Sequence, residues 1–246
     1  MRLKLSTSIR VLRLSSVGGF LFVSLCFVYQ APSVGGRSKG NKAHGSCEVV
    51  YLALGDSTGV GIGSRAEVGY VDLVFTRIRR LSHSARLANE CREGAATRDV
   101  LQDQLKSLSA IRPTLVTIGI GANDLIQGIR EEEFASNYQL IIARLKQQDT
   151  QIVLMNIADL SLAPAVPLSL QGAARKQILT FNKRIKVIAR SQKLPLVDLY
   201  SMTPEFSKHP EYFAKDGIHP SDGGYEFWAR ALWPKVHSAL NKQRCH

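Results

Sequence analysis

Short apolar runs alternate with longer stretches of helical periodicity along most of this chain. The runs are typical of strands buried on both faces of a sheet, and they cover residues 48–54, 85–89, 114–120, 151–157 and 196–199. The stretches between them repeat apolar residues every three or four positions and predict helices over 67–81, 97–108, 134–147, 171–191 and 224–240. Strict alternation of strand and helix predicts a parallel sheet covered on both faces, which is a three-layer α/β/α sandwich.

Small and polar residues follow three of the predicted strands. Gly55-Asp56-Ser57-Thr58 comes after the first strand, Gly94 follows the second, and Gly121-Ala122-Asn123-Asp124 follows the third. A fourth stretch, Asp216-Gly217-Ile218-His219, precedes the last predicted helix. Because open α/β sheets build their sites at the carboxyl ends of the strands, we expect the first three stretches at one edge of the sheet.

These residue types suit acyl-transfer chemistry. Ser57 offers a nucleophilic hydroxyl, and the glycines that follow let the backbone turn sharply and leave room for a substrate. His219 is the candidate general base, and Asp216 is the candidate carboxylate that orients the imidazole. The glycines Gly59, Gly61 and Gly63 do not have the spacing of a dinucleotide fingerprint, and no lysine completes a phosphate loop.

In this order the four stretches resemble the sequence blocks of the SGNH hydrolases, also called the GDSL esterase/lipase family, over roughly residues 48–240. The resemblance implies a five-stranded parallel sheet with flavodoxin-like strand order. It also implies an oxyanion hole formed by the backbone N–H groups of Ser57 and Gly94 and the side-chain amide of Asn123. The chain departs from the family at Arg92, where members often have an asparagine two residues before the glycine.

The resemblance implies a serine-dependent hydrolase of carboxylic esters, of the lysophospholipase or short-chain esterase type, that needs no metal or cofactor. A carbohydrate O-acetylesterase acting on cell-envelope polysaccharide is an alternative within the same fold. A catalytically silent envelope-binding module and a flavodoxin-like nucleotide binder are alternatives from other classes. The apolar stretch 160–170 either lines an acyl pocket or packs on the sheet.

The charge of the chain is concentrated near its N-terminus. The formal net charge is +12, but residues 1–46 contain seven basic residues and no acidic one, which leaves +5 for 47–246. Four of these basic residues precede an apolar stretch at 14–29, which is the pattern of a secretory signal. We therefore expect a signal peptide at 1–31, a flexible linker at 32–46 and a hydrolase domain at 47–246.

An exported protein follows from this pattern, and an uncleaved membrane anchor at 14–29 is the alternative. The oligomeric state is left open. No basic stripe interleaved with aromatic residues is present, so nucleic-acid binding is not predicted.

The four cysteines add one structural hypothesis. Cys47 precedes the first predicted strand and Cys245 follows the last predicted helix, so a disulfide between them is consistent with an oxidising compartment. Cys91 lies at the end of the second strand and is expected to be a small buried residue. No paired cysteine or histidine pattern indicates a zinc site.

Overall fold

A five-stranded parallel sheet forms the centre of the protein. The computed structural model describes residues 48–242, so the predicted signal peptide, the predicted linker and the proposed Cys47–Cys245 disulfide lie outside the described residues. The strands are β1 (Val50–Gly55), β2 (Arg86–Asn89), β3 (Leu115–Gly119), β4 (Gln151–Met155) and β5 (Leu196–Val197). Their spatial order is β2-β1-β3-β4-β5 and all neighbours are parallel, which confirms the predicted flavodoxin-like sheet.

Helices cover both faces of this sheet. They are α1 (Ser57–Val60), α2 (Tyr70–Leu81), α3 (Thr97–Asp99), α4 (Leu108–Ile111), α5 (Ala122–Ile126), α6 (Glu131–Leu145), α7 (Leu168–Ser191), α8 (Leu199–Phe206) and α9 (Asp222–Leu240). A π-helical turn, Val100–Gln104, follows α3, and two 3₁₀ turns cover Leu160–Leu162 and Pro210–Tyr212. The order of strands and helices confirms the three-layer sandwich.

Two hydrophobic cores lie on opposite faces of the sheet, as the alternation of side chains along β1 shows. Leu52 and Leu54 pack into the core beneath α6 and α7, whereas Tyr51 and Ala53 pack into the core beneath α2 and α9. All four side chains are fully buried, as expected of a strand that is covered on both sides. Between residues 48 and 242, no helix is both long and apolar enough to cross a bilayer.

The structure corrects the predicted helix over 97–108. It is divided into α3, the π-helical turn and α4, and the amide of Leu105 donates to the carbonyl of Val100 at 3.0 Å. The apolar positions were identified correctly, since Val100, Leu105 and Leu108 are buried. The periodicity did not show that Gln104 turns inward to bond a distant peptide, which the wider turn accommodates.

The structure also corrects the region after residue 196. The strand is two residues long, and a helix begins at Leu199 where a strand end was predicted. The Asp198 side chain accepts a hydrogen bond from the amide of Ser201 and caps that helix. Asp198 therefore lies between the end of β5 at Val197 and the beginning of α8 at Leu199, and its carboxyl group caps the helix.

Candidate active site

Ser57 begins helix α1 directly beyond β1. The carboxylate of Asp56 caps this short helix, because its Oδ1 accepts from the Thr58 amide at 3.0 Å and from the Thr58 hydroxyl at 2.8 Å. Residues 55–59 also fit the Gly-x-Ser-x-Gly pattern of a strand–turn–helix nucleophile, which is the local structure seen here. Ser57 is only 8% exposed, so its hydroxyl is held in one place at the sheet edge.

Asp216, His219 and Ser57 form one continuous hydrogen-bonded chain. His219 Nε2 lies 2.9 Å from Ser57 Oγ, and His219 Nδ1 lies 2.6 Å from Asp216 Oδ2. The other oxygen, Asp216 Oδ1, accepts from the backbone amides of Ile218 and His219 at 2.8 and 2.9 Å. With the Nδ1 proton directed at the carboxylate, Nε2 is the acceptor for the serine hydroxyl, which is the arrangement that activates a nucleophile.

The carboxyl group of Asp216 is stabilised in its ionised form. Partial burial acts to raise its pKa, but the two backbone amides and the His219 ring outweigh that effect. The pKa of Asp216 therefore lies below its ordinary value, and this side chain is a carboxylate throughout the neutral range. Its negative charge favours a cationic imidazole on His219 when Ser57 gives up a proton.

The three predicted oxyanion donors lie on loops that are tied to one another. Within residues 48–242, neither the N–H of Ser57 nor that of Gly94 donates a hydrogen bond. Gly94 has a φ of +71°, a left-handed conformation that a glycine adopts without strain. The Asn123 amide donates to the carbonyl of Ala95 at 3.0 Å, which leaves its second proton free to bind a ligand. The structure thus connects the loop of Asn123 to the loop of Gly94.

Asp124 joins two of these loops. Its carboxylate is fully buried and accepts from the Thr97 amide at 3.0 Å and from the Thr97 hydroxyl at 2.5 Å. Burial raises the pKa of Asp124 while both bonds from Thr97 act to lower it. The side chain therefore fastens the loop of Asn123 to the loop that follows Gly94.

The loop that contains Arg92 has its own supports. The Arg92 amide donates to the carbonyl of Gly55 at 3.2 Å, and its guanidinium lies 3.3 Å from the carboxylate of Asp103. Asn89 donates to the carbonyl of Gly59 at 2.9 Å and accepts from the Cys91 amide at 3.2 Å. Arg92, which stands where family members often have an asparagine, is therefore held by an ion pair with Asp103. Cys91 is buried, as predicted.

Open space near the catalytic edge has two parts. An apolar cavity of about 50 Å³ reaches Asp56 and Thr58, on either side of Ser57, and is bounded by Ile120, Leu160 and Trp228 among others. A groove of about 650 Å³ runs past Asp216 and includes the charged side chains of Arg65, Glu211, Lys215 and Asp222. The larger space is thus lined by Asp216, and the smaller one is lined by the two sequence neighbours of Ser57.

The apolar stretch 160–170 has a divided role. Leu160 and Ala163 line small cavities at the catalytic edge, whereas Leu168 and Leu170 are exposed at the start of α7. The amide of Ala165 donates to the carbonyl of Gly217 at 3.1 Å, which attaches this stretch to the loop of Asp216 and His219. In the described part of the chain, no cluster of His, Cys, Asp and Glu has the arrangement of a metal site.

The buried carboxyl group of Asp56 makes stability depend on pH. Burial raises its pKa above the ordinary value of 3.8, so the folded state holds this proton more tightly than the unfolded state. The contribution of Asp56 to the free energy of unfolding therefore falls as pH rises from about 4 through its folded-state pKa. Asp56→Asn keeps the acceptor for Thr58 and removes the ionisation, so its melting temperature relative to wild type should increase across that range.

Thermal unfolding of both proteins at several pH values between about 3.5 and 7 measures this difference. A relative melting temperature that decreases with rising pH would contradict the assignment of Asp56 as the buried acid.

Comparison with known proteins agrees with the fold. Residues 53–227 match the model of the GDSL-like lipase/acylhydrolase family, which is well over half of the chain. The protein is therefore a carboxylic ester hydrolase. It belongs to the GDSL-like lipase/acylhydrolase family, the SGNH hydrolases, as its four sequence blocks predicted.

Individual relatives are distant in sequence and similar in structure. The chain is 22% identical over 189 residues to the esterase TesA of Pseudomonas aeruginosa, covering 77% of this chain and 88% of that protein. A lipase/acylhydrolase from Enterococcus faecalis superposes with a TM-score of 0.63 at 25% identity, covering 79% and 99% of the two chains. A catalytic mutant of Axe2, an acetylxylan esterase from Geobacillus stearothermophilus, superposes with a TM-score of 0.65 at 21% sequence identity. The match covers 78% of this chain and 96% of that chain.

Proposed function

We propose that the protein cleaves esters of short carboxylic acids through an acyl-enzyme formed on Ser57. The observation that supports this most directly is the unbroken chain from Asp216 through His219 to Ser57, with contacts of 2.6 and 2.9 Å. In the first step Ser57 Oγ attacks the carbonyl carbon of the ester and its proton passes to His219 Nε2. The negative oxygen of the tetrahedral intermediate lies between the N–H groups of Ser57 and Gly94 and the amide of Asn123.

The intermediate then collapses and expels the alcohol, which takes the proton from His219. Water attacks the acyl-enzyme with the same histidine as base, and the carboxylic acid leaves as Ser57 recovers its proton. Asp216 holds the imidazole in the tautomer that both half-reactions need. The two halves use one set of groups, and the chemistry needs no metal or cofactor.

The small cavity that borders Asp56 and Thr58, the sequence neighbours of Ser57, supports a short acyl group. At about 50 Å³ it has room for only a few water-sized groups, and its boundary is mostly apolar. The wide, charged groove past Asp216 supports a bulky polar alcohol on the other side of the ester bond. An acetyl ester of a carbohydrate, as in the substrate that names the acetylxylan esterase Axe2, is therefore the second candidate. Lysophospholipids with long acyl chains fit this cavity less well.

Turnover of p-nitrophenyl esters from acetyl to palmitoyl by the full-length chain tests this proposal. We expect kcat/KM to be highest for acetyl to butyryl esters and to fall steeply for longer chains. We also expect stoichiometric labelling by a serine-directed fluorophosphonate. A folded protein that turns over no ester and resists the label would instead support a catalytically silent envelope-binding module.

The N-terminal sequence supports a proposal about where the protein is located. We infer from the basic and apolar pattern of residues 1–31 that the chain is exported, either released or held at a membrane by residues 14–29. An ester-bearing component of the cell envelope would then be within reach of the site. Fractionation of cells that produce the full-length chain, followed by mass measurement of its N-terminus, distinguishes these two forms.

A further inference from the structure

Gln104 is a fully buried polar side chain that clamps the backbone of Gly55, at the end of β1, by bonding both its N–H and its C=O. Its Oε1 accepts from the Gly55 amide at 3.0 Å, and its Nε2 donates to the Gly55 carbonyl at 2.7 Å. Strand β2 ends at Asn89, opposite Ala53, so it does not extend as a strand alongside Gly55. The carboxamide of Gln104 therefore bonds the backbone of β1 at its last residue before Asp56 and Ser57, beyond the end of β2.

The Gly55 peptide is also where the loop of Gly94 is attached. Its carbonyl accepts a second hydrogen bond from the Arg92 amide at 3.2 Å. The side chain of Arg92 returns to the π-helical turn, where it pairs with Asp103, the residue next to Gln104. The π-helical turn thus contacts both loops that present backbone N–H groups. It bonds Gly55, two residues before Ser57, and pairs with Arg92, two residues before Gly94.

We propose that Gln104 is a positioning residue that sets the spacing between the Ser57 and Gly94 N–H donors. This inference rests on the proposed function, because it assigns those two groups to the oxyanion. Without the two hydrogen bonds from Gln104, the backbone at Gly55 can rotate. That rotation moves Ser57, which follows Gly55 in the chain, and the Arg92 loop, which is bonded to the Gly55 carbonyl. Donors that shift relative to each other bind the transition state less well but leave substrate binding nearly unchanged, so kcat falls and KM does not.

The chain contains a matched control for this clamp. Asn182 is buried, accepts from the Ile157 amide at 2.8 Å and donates to the Ile157 carbonyl at 2.7 Å. It holds the backbone of Ile157, beyond β4, in the same way that Gln104 holds the backbone of Gly55. Ile157 borders the small cavity but provides no oxyanion donor, so this variant shows what loosening of the sheet edge does by itself. Gln104→Met and Asn182→Leu each remove a double hydrogen bond and keep most of the volume.

The experiment compares the full-length wild type, Gln104→Met, Asn182→Leu and Ser57→Ala with p-nitrophenyl acetate. We expect both clamp variants to lose several degrees of melting temperature. Only Gln104→Met should lose about 10²-fold in kcat, with KM within about threefold of wild type, as a small misplacement in a site can cause. The rate of fluorophosphonate labelling should fall with kcat, since the phosphoryl oxygen occupies the same donors.

A second pair of variants lies at the surface and leaves the core intact. Arg92 and Lys106 both pair with Asp103, at 3.3 and 2.8 Å, but only Arg92 is on the loop of Gly94. Arg92→Met should lower kcat several-fold, whereas Lys106→Met should leave it unchanged. This pair keeps the inference testable if Gln104→Met does not fold.

The results distinguish failure of the proposed function from failure of the role proposed for Gln104. If the wild type shows no Ser57-dependent turnover, the proposed function is wrong and the role of Gln104 falls with it. If the wild type is active and Ser57→Ala is not, a folded Gln104→Met with wild-type kcat would overturn the positioning role alone. An equal loss of kcat in Asn182→Leu would do the same, because it would show that general loosening of the sheet edge is sufficient.

Discussion

Ser57→Ala should abolish ester turnover while leaving the fold unchanged. The substitution removes one oxygen atom, whose contact in the described chain is the 2.9 Å hydrogen bond to His219 Nε2. Among the described residues, no other hydroxyl is hydrogen-bonded to His219, so the loss in kcat should be on the order of 10⁶-fold, as for the nucleophile of other serine hydrolases. Steady-state kinetics with p-nitrophenyl acetate and fluorophosphonate labelling both measure it.

The matched control for Ser57→Ala is another buried serine whose hydroxyl is not hydrogen-bonded to the histidine. Ser82 is also buried, and its hydroxyl has a weak 3.5 Å contact with Ser84 at the far end of α2. Ser82→Ala should keep full turnover and remain labelled. If Ser57→Ala retained more than about 1% of wild-type kcat, the acyl-enzyme on Ser57 would be refuted.

The positions of the candidate site residues followed from the strand pattern. Buried parallel strands are continuous apolar runs, and the chain leaves each run at the same edge of the sheet. The structure places Ser57 directly beyond β1 and Asn123 in the first turn of α5, soon after β3. The hydrophobic pattern was therefore sufficient to predict that Ser57, Gly94 and Asn123 lie at one edge of the sheet. It does not predict the distances between them.

The role of Gln104 did not follow from the pattern, because its partner is 49 residues away in the chain. A signal was nevertheless present. Val100, Gln104 and Leu108 are four residues apart, so they fall on one face of a helix, and two of them are apolar core residues. A glutamine on the buried face needs partners for both ends of its amide. That requirement predicts a contact with unpaired backbone, but not which peptide.

The segment between β5 and α9 was the least predictable part of the fold. Helix α8 contains Pro204 and starts immediately after a two-residue strand, so neither its length nor its periodicity distinguishes it from a loop. Its Phe206 packs against Tyr212, Phe213 and Phe227 and is buried. Long-range packing of these aromatic rings, and not local preference, supports the loop that presents Asp216 and His219.

His219→Gln should reduce kcat nearly as much as Ser57→Ala. Glutamine can still hydrogen-bond to Ser57 and to Asp216, but its amide does not take up a proton at neutral pH, so the nucleophile is no longer activated. Removing the histidine base alone costs triad enzymes on the order of 10⁶-fold in kcat. Both fluorophosphonate labelling and turnover should be lost, since each needs the proton of Ser57 removed.

Asp216→Asn distinguishes a triad from a simple serine–histidine pair. The amide can still receive the two backbone hydrogen bonds from Ile218 and His219, so the loop is preserved, but it does not stabilise a cationic imidazole. The variant should lose about 10⁴-fold in kcat, which is less than His219→Gln. Because the pKa of Asp216 is below its ordinary value, the wild type should not lose activity through this carboxylate near neutral pH. Wild-type turnover in Asp216→Asn would show that His219 acts without an orienting charge.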